Sequence, residues 1–141
     1  MKISIGADHR GFELKRAIID HFVQYAWHDV GAHSLERTDY PVYAKEVCHD
    51  IQRGDSSCGI LICGSGVGIS IAANRFAGIY AALCWSTEIA ERAKQHDGAN
   101  VLVLPADFIT HEQAFAMIDA WLGATFKEGR YKERLLMIDK M

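Results

Sequence analysis

Proline is scarce. Pro41 and Pro105 are the only two in 141 residues, and no Ser/Gly/Pro-rich linker, charge block or internal repeat divides the chain. One unit spanning residues 1–141 is expected, in keeping with the ~100–150 residues commonest for a single domain. Long apolar runs are missing too. Runs such as Gly78–Cys84 and Val101–Pro105 fall far below the ~20 residues that span a bilayer, so no membrane helix or membrane partner is expected. Met1-Lys2-Ile3-Ser4-Ile5 passes directly into strand-like alternation without the parts of a secretion signal, which points to a cytoplasmic protein. Positive charge is not in excess: 15 Lys and Arg against 18 Asp and Glu leave −3. Nothing in that balance attracts nucleic acid, although a local cluster still suits a small phosphate. Cys48, Cys58, Cys63 and Cys84 form no Cys-x-x-Cys pair and no zinc-like Cys/His spacing, so free thiols are expected. His21, His28, His33, His49 and His111 likewise have no spacing that demands a metal. What the chain does have is apolar substance: 50% of it is hydrophobic and 23% charged, enough to bury a core.

Short β-branched runs alternate with longer amphipathic stretches. Lys2–Ala7 reads as a strand, then a helical pattern runs through Phe12, Leu14, Ala17, Ile18 and Phe22. A weaker strand lies near Trp27–Gly31 and a helix near Val42–Ile51. Gly59–Cys63 is a buried-type strand, Val67–Asn74 a helix, Ile79–Cys84 a strand, Thr87–Gln95 a helix and Asn100–Leu104 a strand. His111–Leu122 and Lys127–Asp139 read as helices. This alternation implies right-handed crossovers and a single-domain α/β fold: three layers, Rossmann-like, with about five parallel strands flanked by helices. Sites in such sheets gather beyond the strands' carboxyl ends, which directs attention to Ala7–Gly11, Cys63–Ser70 and the segments around Trp85 and Pro105.

Cys63-Gly64-Ser65-Gly66-Val67-Gly68-Ile69-Ser70 leaves a buried strand and enters a helix. Its glycines allow backbone N–H groups close to an anion, although such turns also occur for packing alone. No Lys-Ser/Thr ending makes it a Walker loop, and Gly64-x-Gly66-x-Gly68 differs from the dinucleotide fingerprint. Cys63, at the strand end, faces this turn; as a thiolate it would accept a proton, while as a thiol it would be a small core hydrophobe. Asp8-His9-Arg10-Gly11 puts an acid and an imidazole on the loop after the first strand, suited to binding or protonating a hydroxylated ligand or to capping the following helix. His96 ends a helical pattern, where an imidazolium serves as an electrostatic cap or a base. Arg130 and Arg134 share a helix face. Five basic and three acidic residues between Phe126 and Met141 leave a patch of +2, matched to a phosphate or simply solvated.

Gly6-Ala7-Asp8-His9-Arg10-Gly11-Phe12-Glu13-Leu14-Lys15, Glu36-Arg37-Thr38-Asp39-Tyr40-Pro41, the run from Cys63 to Arg75, and Gln95-His96 together closely resemble the ribose-5-phosphate isomerase B family of sugar-phosphate isomerases, which includes the LacA/LacB type. The likeness extends from Lys2 to about Ile138. It implies an aldose–ketose isomerase that needs neither metal nor nucleotide cofactor, with ribose 5-phosphate and ribulose 5-phosphate as the default pair. The family's general base corresponds to Cys63. Some members use a glutamate in the following helix turn instead, a position held here by Ile69. Backbone N–H groups from Gly64 through Ser70, those of Gly66 and Gly68 included, would hold the enediolate, with the Ser65 hydroxyl assisting. His96 matches the ring-opening residue, usually supplied by the neighbouring subunit. Asp8 and Tyr40 match substrate-pocket positions. His9, Arg130 and Arg134 match phosphate positions, the arginines reaching across a dimer interface. A homodimer or dimer of dimers with shared sites is therefore implied, the C-terminal helix (about 127–139) packing on a partner. Asp97 stands where the family usually has asparagine, and Asp107 aligns with a further phosphate-facing arginine. Those acids keep other readings open: the same chemistry on allose 6-phosphate, galactose 6-phosphate, a tetrose phosphate or an unphosphorylated sugar, or a noncatalytic phosphosugar-binding module.

Overall fold

In a computed structural model that describes residues 1–141, the alternating pattern becomes a five-stranded sheet, all parallel, flanked by six helices. The elements are β1 (Lys2–Ala7), α1 (Phe12–His21), β2 (Ala26–Asp29), α2 (Tyr40–Gln52), β3 (Cys58–Cys63), α3 (Val67–Ala73), β4 (Ala81–Leu83), α4 (Thr87–Asp97), β5 (Val101–Pro105), α5 (His111–Gly123) and α6 (Arg130–Asp139). The sheet order is β2-β1-β3-β5-β4. β3 sits at the centre with every residue buried, as a strand covered on both faces must be.

Period-two alternation divides that centre between two cores. Ile3, Ile5, Cys58, Ile60, Ile62, Leu102 and Leu104 face α1, α4 and α5, whereas Leu61, Cys63, Val101 and Val103 face α2 and α3. Each large side chain so buried contributes about 1.5–3 kcal/mol. Trp121 is fully buried, and its indole N–H donates to the Ala99 carbonyl at 3.0 Å, fixing α5 to the start of β5.

Two polar arrangements brace β1 and β2. Lys15, fully buried, reaches Asp29 at 2.6 and 2.7 Å, and the same carboxylate accepts the Gly31 N–H at 2.9 Å. The chain after β2 is thereby pinned beside Ala7, which exchanges backbone hydrogen bonds with Gly31 and Ala32. On the opposite face Asp50, 2% exposed, meets Ser4, His28 and Arg53.

Boundaries shift where local geometry overrides the apolar pattern. The last helix begins at Arg130 rather than Lys127, because Glu128 and Gly129 adopt φ of +57° and +56° and break the ladder. At the sheet edge β4 keeps only Ala81–Leu83 of the expected Ile79–Cys84. Asn74 takes over there, its side chain bonding both the N–H and the carbonyl of Ala81. No helix is long and apolar enough to cross a membrane.

Candidate active site

β3 ends at Cys63, and the chain turns into α3 through Gly64, Ser65 and Gly66. Gly66 has φ +76°, a left-handed conformation that L side chains resist, and a Cβ there would sit 2.5 Å from Leu83 Cδ1. The turn folds the Gly66 N–H back onto the Cys63 sulfur at 3.2 Å. The Cys48 and Cys84 thiols instead donate to the Ala73 and Ala82 carbonyls, and burial pushes both up to about 12. Cys58 is raised as well, chiefly by burial.

The N–H groups around the sulfur divide into engaged and free. Val67 donates to the Ser65 hydroxyl oxygen at 3.2 Å and Ser70 to the Gly66 carbonyl at 3.1 Å. Those of Gly64, Ser65, Gly68 and Ile69 have no acceptor within the chain, the normal condition of a helix start. The donor set is therefore narrower than the whole Gly64–Ser70 run. Ser65, accepting from Val67, keeps its own hydroxyl hydrogen to donate. Tyr40, the first residue of α2, lays its ring across Gly68, so that a Cβ at 68 would lie 2.5–2.6 Å from the phenol Cζ and oxygen.

The loop after β1 closes the other side. Asp8 is buried, and its Oδ1 accepts from the N–H groups of Arg10 and Gly11 at 3.0 and 3.2 Å, holding the loop shape. His9 Nδ1 accepts the Thr38 N–H at 3.2 Å, which leaves Nε2 as the hydrogen-bearing nitrogen of the neutral ring. Arg10 bonds Asp107 at 2.5 Å, and the pair lies directly over Gly64.

His96, Asp97, Arg130 and Arg134 are elsewhere. His96 lies in the last turn of α4, which stops at Gly98 with φ +56° before β5 begins. Its ring stacks parallel on Tyr131 with centroids 4.6 Å apart, and it borders an open polar cleft of 540 Å³ with Gln95 and Lys127. Arg130 and Arg134 both rest on the Tyr131 ring, 5.3 and 5.9 Å from its centroid. A hydrogen bond from Arg130 lowers the Tyr131 hydroxyl's titration range. Asp97 borders a neighbouring groove with Tyr80, Leu135 and Ile138. One chain thus gathers Asp8, His9, Tyr40, Cys63 and Ser65 at the carboxyl edge of the sheet. The other four residues gather at its amino edge.

A model of the Ribose/Galactose Isomerase family matches residues 3–138. The chain belongs to that family. Ribose-5-phosphate isomerase B of Escherichia coli K12 is 46% identical over 136 residues, covering 95% of this chain and 91% of the relative. Among solved structures, a ribose 5-phosphate isomerase from Thermotoga maritima superposes with a TM-score of 0.98 at 43% identity, covering 99% and 98% of the two chains. Ribose-5-phosphate isomerase B from Mycoplasma genitalium, solved with bound ribulose-5-phosphate, gives a TM-score of 0.93 at 38% identity, with 99% and 94% covered. The chain is accordingly an enzyme, an isomerase of the ribose-5-phosphate isomerase B type.

Within this isomerase the negative charge at Asp107 is not free to oppose an anion, because Arg10 neutralises it. Asp97 is exposed and has no ion-pair partner. Sequence reasoning passed over two contributors. Thr38 orients His9 through a backbone N–H, which no side-chain pattern announces. Arg10 stood in the quoted loop motif beside His9, but its carboxylate partner is 97 residues away.

Proposed function

We propose that this isomerase interconverts ribose 5-phosphate and ribulose 5-phosphate through an enediolate, with Cys63 as the general base. The observation that carries the reading is the Cys63 turn: one N–H on the sulfur, four N–H groups without acceptors, and the Ser65 hydroxyl beside them. His96 of a second copy opens the furanose ring. The Cys63 thiolate then removes the C2 proton; the C–H electrons form the C1–C2 double bond, and the carbonyl pair moves onto O1. Free N–H groups of the turn and the Ser65 hydroxyl stabilise that oxygen. The O2 hydroxyl proton passes to O1, the sulfur returns its proton to C1, and the ketone forms at C2. Asp8 and Tyr40 hold sugar hydroxyls, and His9 Nε2 donates to the phosphate.

The separation of the two residue groups supports a homodimer with shared sites, in which the partner contributes His96, Asp97, Arg130 and Arg134. The composition of α6 supports it too: the helix buries none of its residues, and Leu136, Met137 and Ile138 remain exposed. Such a helix gains its stabilisation by packing on another chain.

The test is a panel of ribose 5-phosphate, allose 6-phosphate, galactose 6-phosphate and erythrose 4-phosphate, with aldose and ketose followed by NMR. Ribose 5-phosphate should give the highest kcat/KM. Turnover of none of the four would overturn the sugar-phosphate assignment, and a hexose phosphate in first place would reassign the substrate.

A further inference from the structure

We propose, on the reading just given, that Arg10 is a specificity residue of this site: it binds the substrate's phosphate, with Asp107 as its fixed counter-charge. Three crossover loops meet at this point. Arg10 comes from the loop after β1, Gly64 from the loop after β3 and Asp107 from the loop after β5. The Arg10 Nε and Cδ lie 2.8 and 3.0 Å from where a Gly64 Cβ would be, so the guanidinium lies against the turn one residue beyond Cys63. Asp107 accepts from its Nη2 at 2.5 Å, and the Asp107 N–H donates to the Gly64 carbonyl at 3.0 Å, which ties the carboxylate's own backbone to the same turn. Arginine, carboxylate and turn form one closed unit.

The unit is unequal in what it presents to solvent. The Arg10 side chain is 58% exposed and that of Asp107 35%, so an approaching anion meets the guanidinium first. A guanidinium carries five N–H donors in a planar fork. Only Nη2 is committed to Asp107, and the remaining donors suit the oxygens of a phosphate monoester. The next residue back, His9, offers a donor on the same loop because Thr38 occupies its Nδ1. Two adjacent residues of one loop therefore offer a cationic group and a hydrogen-bond donor within a single chain.

Charge bookkeeping gives the proposal a distinctive consequence. Removing the guanidinium alone leaves a bare carboxylate facing the phosphate, which costs more than the lost bonds. Neutralising Asp107 in that background relieves the repulsion.

The experiment compares wild type, Arg10→Ala, Arg10→Lys and Arg10→Ala/Asp107→Asn. Arg10→Ala should raise the KM for ribose 5-phosphate about tenfold or more. It should weaken inhibition by inorganic phosphate in parallel, the loss falling on KM rather than kcat. Arg10→Lys should lie between, since an ammonium gives charge without the fork. The double variant should recover part of the loss. Unchanged KM and phosphate inhibition in Arg10→Ala, or a loss in kcat alone, overturns the assignment. A double variant no better than Arg10→Ala removes Asp107 from it. Failure of wild type to isomerise ribose 5-phosphate would instead sink the functional reading. Phosphate-induced thermal stabilisation then still reads Arg10: lost in Arg10→Ala it upholds the anion site, and retained it contradicts it.

Discussion

His96 and Cys63 stand at opposite ends of the same sheet. Cys63 pairs with Pro105, the last residue of β5, whereas His96 precedes Val101, the first. Four residue steps at about 3.3 Å put roughly 13 Å between those levels. On the proposed reading, a ring-opening acid and a C2 base acting on one sugar come from different chains.

Subunit complementation follows from that separation. Cys63→Ala and His96→Asn should each be nearly inactive on the cyclic sugar. Refolded together, they should form mixed dimers carrying one intact site and one doubly altered site, recovering about a quarter of wild-type activity under random two-fold pairing. A mixture as inactive as its components would show that the two residues do not share a site.

The ring-opening role itself is separable by substrate form. His96→Asn should depress turnover of the furanose much more than turnover of the open-chain fraction, measured by rapid mixing before ring closure. Equal losses on both forms would assign His96 to another step.

Thiol chemistry should single out one cysteine. Burial raises Cys48 and Cys84 to about 12 and Cys58 in the same direction, so at pH 8 all three remain overwhelmingly protonated. Iodoacetamide should label Cys63 first, with activity falling in step and ribose 5-phosphate slowing both. Mass spectrometry showing Cys58 or Cys84 labelled ahead of Cys63 would contradict the role proposed for Cys63.

Acid should weaken the amino edge through Asp50. Burial alone would raise its titration, but hydrogen bonds from Ser4 and His28 and the charges of His28 and Arg53 outweigh it and hold the carboxyl below its usual range. A carboxyl depressed in the folded state stabilises the fold above its unfolded value of ~3.9, and that contribution is lost as pH falls through the lower folded value. Asp50→Asn should cost about 1–3 kcal/mol at pH 7 by urea denaturation. The gap between variant and wild type should narrow as pH falls through the lowered folded-state value. A gap independent of pH would mean that the network is held by shape rather than charge.

Much of this was legible because the signals are local. β3 declares itself by an unbroken apolar run, and the Cys63–Ser70 turn by glycines that the backbone requires at Gly66 and that Tyr40 requires at Gly68. The rule that α/β sites gather at carboxyl ends found Asp8, His9 and Cys63. It misses His96, which lies at the amino end: its place at a helix end marks it only as a cap or a base, and the ring-opening role enters through resemblance. Lys127–Gly129 carried helical charge spacing, yet the positive φ of Glu128 and Gly129 is a backbone fact that composition does not reveal. Which arginine meets Asp107 was not legible for a plainer reason: the two residues come together only after the β1, β3 and β5 loops have been brought side by side by the sheet order.

The most direct measurement of the central claim is isomerisation and binding of ribose 5-phosphate by Cys63→Ala. Removing the sulfur takes away the proton carrier and leaves the Gly64, Ser65, Gly68 and Ile69 N–H groups in place. Turnover should fall by at least the ~10²–10⁴-fold that a positioned base contributes, while the dissociation constant from calorimetry stays within a few-fold of wild type. Turnover equal to wild type would contradict the account.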